Sequence, residues 1–262
     1  MSLVRLGVAG AVLFFTAYVF SWPVLWSGMQ GSDLLWHLHL ATWADGAFPW
    51  LPWWDRWDGG GIPYREAYPL LPHWIAIAFA HAFRLRLEQG IQLVEFLVNP
   101  LDALGIYVFL AWRRRRPLAG LVAGFLFLLS PIVWVGLFDF GLYANQVGTV
   151  FFMPCLIALD VLFQAWRRGD RSWRLRLAAG AFIGLAVLLG SVSHQLFPAP
   201  LIAALLYGAA AGRRAARWLL VVAPLCALAA VFLQLFWILP NLEFLAATGA
   251  RTPRLLFSVS SL

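Results

Sequence analysis

The chain is a succession of long apolar runs separated by short polar bursts. The runs are 6–26, 91–112, 117–136, 148–166, 177–193, 197–211 and 218–239. Crossing a bilayer as a helix takes roughly 20 apolar residues, and most of these runs are that long. The run 197–211 is short. It reaches the required length when its helix starts near His194 and carries Pro198 and Pro200 close to the start, where a missing N–H costs least. An eighth run, 68–83, reads Tyr-Pro-Leu-Leu-Pro-His-Trp-Ile-Ala-Ile-Ala-Phe-Ala-His-Ala-Phe, and hydropathy alone would let it cross.

Charge decides the count. Arginines cluster at 113–116, at 167–176 and at 213–217, each directly after an apolar run. Basic bursts beside spans mark cytoplasmic loops. With Arg5 also inside, the first span runs outward. An odd number of crossings must then lie between Trp26 and Arg113, and 91–112 supplies one. The run 68–83 is therefore expected to be interfacial or re-entrant, which leaves Arg84 and Arg86 outside. The expected fold is all-α. It is a polytopic membrane helix bundle, a single domain over 1–262 with about seven transmembrane helices and interfacial helices in a first external loop, 27–90. Smaller external loops are expected at 137–147 and near 191–197, with an external tail at 240–262. The run after Arg5 ends in bulky Trp22, Pro23 and Trp26, which predicts an uncleaved anchor with a cytoplasmic N-terminus.

Composition agrees. The 262 residues are 62% hydrophobic and 12% charged, with a mean hydropathy of +0.79. Soluble proteins carry about 25% charged residues. The net charge of +7 does not point to nucleic acid, because the arginine bursts that supply it are accounted for by loops. Cys155 and Cys226 lie inside apolar runs and read as small core residues. No nucleotide-binding loop, dinucleotide fingerprint, serine-hydrolase elbow or zinc-type spacing occurs, so ATP-driven transport by this chain alone is not expected.

The chemically rich residues fall in the external pieces. In Gly31-Ser-Asp-Leu-Leu-Trp-His, Ser32 suits an N-cap, and Gly46 suits the position after the helix end. Trp36, Leu40 and Trp43 recur at helical spacing, which predicts a helix lying on the membrane by that face. Asp33 and His37 are four apart and hence neighbours on one helix face. A carboxylate beside an imidazole suits general acid–base chemistry or a divalent cation. An ordinary helix-dipole partnership explains the same spacing. His39 points to another face. Trp-rich 48–57 reads first as an interfacial belt, and Gly59 to Gly61 as a flexible link between surface helices. Asp139, Asn145 and Gln146 share the second external loop, and His194 and Gln195 sit at an outer helix end. Each can hold a metal or a phosphate-bearing head group, or be an ordinary polar turn. Within the spans, Glu95 and Asp102 lie seven apart on one face, and Asp160 stands on another span.

The order of these pieces resembles a family. One span, Asp33 and His37 on a surface helix, Gly46-Ala-Phe-Pro-Trp, Gly61-Ile-Pro and Tyr68-Pro-Leu follow one another as in the first external loop of GT-C glycosyltransferases. The likeness is greatest to the integral membrane proteins called 6-pyruvoyl-tetrahydropterin-synthase-related. It covers most of the chain and is strongest over 1–155. It implies sugar transfer from a polyprenyl-phosphate donor to an acceptor on the external face of a bacterial inner membrane. Asp33 would serve as the catalytic base. The resemblance maps the donor- or metal-holding acid onto Asp139, and His37, Asn145, Gln146, His194 and Gln195 are expected to bind substrate. A divalent cation, Mg or Mn, would have Asp33, His37 and Asp139 as its ligands. The sequence lacks the paired acidic motif of oligosaccharyltransferases around Asp139, which weakens the metal expectation. Members of the family are usually longer, so a truncated chain or a minimal core is expected. The competing expectation is a non-catalytic transporter or a lipid or polysaccharide assembly protein, which Glu95 and Asp102 keep open.

Overall fold

A computed structural model describes residues 3–26, 34–48, 70–131, 133, 143–168, 173–193, 196 and 198–210, with 225, 228, 229 and 232. Its elements are helices α1 (Leu3–Trp26), α2 (Leu34–Asp45), α3 (Leu71–Phe83), α4 (Leu87–Val108), α5 (Pro117–Leu128), α6 (Tyr143–Arg167), α7 (Trp173–Val192) and α8 (Pro198–Ala210). A π-helical turn, Phe109–Arg113, extends α4.

Among the described residues, Gly7–Leu25, Leu87–Arg113, Tyr143–Ala165 and Leu175–Val192 are long and apolar enough to cross a membrane. Their exposed side chains are those of a protein facing hydrocarbon. On α1, Val4, Val8, Val12, Phe15 and Val19 form an exposed stripe, while Leu13, Ala17, Ser21 and Val24 on the other side are buried. Exposed Leu118, Val122 and Leu126 do the same for α5. In water such stripes would drive aggregation; in a bilayer they are solvated.

Two helices differ from the sequence expectation. In the run 117–136 the helix from Pro117 ends at Leu128 and Pro131 and Val133 are helical again, because Ser130 precedes Pro131 and a residue before proline is pushed out of the α region. The run 148–166 starts its helix five residues earlier, at Tyr143, so Asn145 and Gln146 are not loop residues but stand in the first turn of α6. The run 68–83 forms a helix of 13 residues, about 20 Å long at 1.5 Å per residue, too short to cross. The last expected span, 218–239, lies almost wholly outside the described residues.

α4 is the central element, packing on α1, α3, α5 and α6. It runs antiparallel to α1: Gly10 meets Leu104 and Tyr107, and Tyr18 meets the ring of Phe96 at 4.8 Å. It runs parallel to α6: Thr149 bonds to Asp102, and Arg113 bonds to Asp160. Arg5 and the Arg113–Arg116 cluster therefore lie at one end of the bundle, and α2 and α3 at the other.

At the arginine end, Asp160 is fully buried and accepts the Arg113 guanidinium at 2.5 Å, with Arg114 at 3.4 Å. Gln164 donates to the same carboxylate at 3.0 Å. The π turn widens the helix where Arg113 must swing onto α6.

At the opposite end, α3 and α4 form a tight hairpin. Arg84 takes a left-handed φ of 54°, and Leu85 N–H bonds back to the Ala80 carbonyl at 2.8 Å, a helix-ending motif. Gly90 then lies so close to α3 that a Cβ there would stand 2.6 Å from the Ala76 carbonyl oxygen. Only glycine permits that approach.

Candidate functional site

Helices α2, α3, α4, α6 and α7 converge around one apolar cluster that includes Leu34, Ala76, Ile91, Tyr143 and Val192. The polar groups of interest are set into this cluster.

His37 and His73 meet at its top. Both are buried, at 1% and 0% exposure, and His37 Nδ1 lies 3.0 Å from His73 Nε2. One nitrogen must donate and the other accept, so the contact fits neutral rings with matched tautomers. Both rings pack against Tyr143, with His37 at 5.4 Å and His73 at 6.2 Å between centroids. The Tyr143 hydroxyl donates to the Pro72 carbonyl at 2.8 Å. Burial lowers the His37 pKa to about 4. At neutral pH it is an uncharged imidazole, able to hydrogen-bond a phosphate but adding no positive charge.

The face of α2 read as membrane-facing is turned to α3. Leu40 is fully buried, and Trp36 and Trp43 pack with Ile77 and Trp74. His39 stacks on Trp36 at 5.4 Å, on a face away from His37, as its spacing implied. Asp45 Oδ1 lies 2.8 Å from His81 Nε2, tying the C-terminal ends of α2 and α3 together.

One helical turn into the bundle, Ser193 donates to Asn145 Oδ1 and so joins α7 to α6. Gln146 follows, with a buried side-chain oxygen. Then Thr149 donates to Asp102. On the facing surface of α4, Gln92, Glu95, Asn99 and Asp102 are all buried. Their spacing of three, four and three residues puts them on one helix face. Among the described residues neither carboxylate has a basic partner; Arg113 and Arg114 are engaged by Asp160 at the far end.

Of the residues expected from sequence, His37, Asn145 and Gln146 are brought to the same end of the bundle by α2 and α6. Asp33, Asp139, His194 and Gln195 lie outside the described residues. His73 was missed. Nothing local marked it, because its burial and its partner come from the packing of α3 on α2. Among the described residues no three or more His, Cys, Asp or Glu side chains come together as a metal site. With only His37 of the cation ligands described, no step is routed through a metal. A separate apolar groove of about 1000 Å³ runs between α1 and α4, with Gly10, Phe14, Tyr18, Leu104 and Tyr107 among its walls. Among the described residues, His37, Asn145 and Gln146 are not in its lining.

No protein-family model matches the chain, and neither a curated protein nor a solved structure is significantly similar to it.

Proposed function

We propose that this protein is a membrane glycosyltransferase that takes a sugar from a polyprenyl-phosphate donor and delivers it to an acceptor on the external face of a bacterial inner membrane. The supporting observation is the placement of α2 and α3. Among the described residues, two short helices follow the first span and dock by a buried His37–His73 contact on the bundle end where Asn145 and Gln146 enter. Asp33 precedes α2 by one residue and stands four before His37 in sequence. In the proposed reaction Asp33 takes the acceptor hydroxyl proton. The acceptor oxygen bonds to the anomeric carbon as the bond from that carbon to the phosphate oxygen breaks. The carrier phosphate leaves with the electron pair. Asn145, Gln146 and neutral His37 offer hydrogen bonds to sugar or phosphate, and Asp139, His194 and Gln195 complete the substrate contacts. Holding both reactants in one dry site supplies much of the rate.

The test is transfer from radiolabelled polyprenyl-phosphate sugars by the purified protein in lipid. Asp33→Asn should cut transfer by about 10²–10⁴, the usual worth of a positioned base, while insertion and thermal midpoint stay near those of the wild type. Near-normal transfer in that variant removes Asp33 from the mechanism, and no transfer from any polyprenyl carrier removes the reading.

One observation favours a second reading, a non-catalytic membrane transporter: Glu95 and Asp102 are buried within a membrane-length helix. Intramembrane carboxylates commonly mark solute or ion paths. Reconstituted vesicles that accumulate a solute without sugar transfer would decide for it.

A further inference from the structure

The apolar groove between α1 and α4 is walled by Gly7, Ala11, Phe14 and Tyr18 on α1 and by Leu104 and Val108 on α4. The α1 residues recur at intervals of four, three and four, so they share one helix face. The groove opens on the apolar surface of the bundle. Val8 and Phe15, from the exposed stripe of the same helix, stand beside it in sequence at 59% and 66% exposure.

Length selects the occupant. Eleven residues separate Gly7 from Tyr18, about 16 Å at 1.5 Å per residue. The hydrocarbon of a bilayer is about 30 Å thick, so one leaflet is about 15 Å deep. The groove has the depth of a single acyl layer. A membrane-spanning helix, from a second copy or another protein, would need a track about twice as long.

Charge lies at one end. Val108 is the last wall residue of α4, and the arginine turn folds back directly after it. Arg114 N–H bonds to the Phe109 carbonyl at 3.2 Å, and Arg116 N–H bonds to the Leu110 carbonyl at 2.9 Å. Those carbonyls are one and two residues beyond Val108, so the turn is fastened at that end of the groove. On α1, Arg5 stands two residues before Gly7. Asp160 takes Arg113 and Arg114. Arg115 and Arg116 are exposed, and among the described residues no carboxylate pairs with them. No Asp or Glu occurs in 1–32 or in 103–138, so the segments that build this end supply no counter-charge. Trp112, at the same turn, is 55% exposed, as a tryptophan at headgroup level is.

An apolar track one leaflet deep that ends at uncompensated guanidinium groups fits a lipid with an anionic head. Guanidinium matches phosphate by paired N–H bonds. A zwitterionic head would bring its own positive charge to the arginines.

We propose that the α1–α4 groove binds an anionic phospholipid from the leaflet at the arginine end, its acyl chain along Gly7, Ala11, Leu104 and Val108 and its phosphate on Arg115 and Arg116. The site does not depend on the glycosyl-transfer reading.

The test is native mass spectrometry of the purified full-length chain, with phosphatidylglycerol and phosphatidylcholine of identical acyl chains added in equal amounts. The expected result is a one-to-one adduct with phosphatidylglycerol in excess over phosphatidylcholine. A juxtamembrane arginine is worth about fivefold in preference for anionic lipid, so Arg115→Gln with Arg116→Gln should lower the preference about 25-fold. Gly7→Phe should reduce retention of both lipids. A Cβ at Gly7 meets nothing within 4 Å, so this variant fills the groove without pushing α1 off α4. Equal retention of the two lipids by the wild type overturns the site. A preference unchanged in the arginine variant overturns the headgroup contact, and retention unchanged in Gly7→Phe overturns the groove as its seat. Should the arginine variant fail to insert, the wild-type ratio and Gly7→Phe decide alone.

Discussion

His37 changes ionisation on docking, so α2 should respond to pH. Its pKa falls from the ordinary 6.5 to about 4 when buried against His73 and Tyr143. Between those values the undocked helix binds a proton that the docked one does not. Docking is therefore at full strength above pH 6.5, weakens as pH falls, and has lost the whole contribution by about pH 4. The shift amounts to about 3 kcal/mol at 1.36 kcal/mol per unit. Hydrogen exchange over Leu34–Asp45, corrected for intrinsic rates, should show protection falling across that window. His37→Phe, which removes that proton site, should lessen the slope. A wild-type profile without slope would mean that His37 is charged or solvated in place. The Asp160 carboxylate is fully buried among Arg113, Arg114 and Gln164. Asp160→Leu should lower stability by about 3–5 kcal/mol, the usual cost of stranding a buried charge, and adding Arg113→Leu should recover much of it. Thermal midpoints of the single and double variants test this.

Between elements, the α3–α4 hairpin is the most demanding contact. Gly90 has no room for a side chain against Ala76 and Ala80. Gly90→Val should push α3 off α4, carrying His73 away from His37. Overpacking of this kind usually costs about 1–3 kcal/mol, and main-chain atoms on the other side leave little room to relax. Loss of a crosslink between cysteines placed at Ile77 and Leu40, whose side chains share one apolar cluster, would register the separation. An undiminished crosslink would show that α2 and α3 dock independently of α4. On α6, Gly148 faces Ser193 in the same way, and a Cβ added there would stand 3.1 Å from that of the serine. That contact lets Ser193 reach Asn145.

At the scale of the molecule, the arrangement is one of sidedness. Arg5, the Arg113–Arg116 cluster and exposed Arg168 gather at one end, whereas α2, α3 and their histidines occupy the other. Basic residues at one end set orientation. Reporter fusions after Arg115, Asp170 and Arg214 should be cytoplasmic, and fusions within 50–60 and 84–88 should be external. A cytoplasmic reading at 84–88 would make Leu71–Phe83 a crossing, despite its 13 residues. Asp160 engages Arg113 and Arg114 and offsets one of the four charges of the Arg113–Arg116 cluster, so Arg115 and Arg116 are expected to carry more of the topogenic charge there. Replacing that pair should weaken orientation more than replacing Arg113 and Arg114.

The sequence by itself determined what depends on local composition. Apolar length and arginine bursts made the chain a helical membrane protein, and the spacing of Trp36, Leu40 and Trp43 made a short helix after the first span. Helical period also put Glu95 and Asp102 on one face. These are properties of a single segment and its solvent, so no partner was needed to read them. Only the tertiary structure decided which faces meet. The Trp36–Leu40–Trp43 face went to α3 because Ile77 and Trp74 bury it better than a bilayer surface does. Asn145 and Gln146 passed from an expected loop to helix because α6 begins at Tyr143, whose hydroxyl is fixed by the Pro72 carbonyl of a distant segment. His73 became part of the site only through His37, 36 residues away. Register between helices is set by the fit of side chains across the gap, such as Met153 into the space at Gly105, and that fit is a property of pairs of segments rather than of either one.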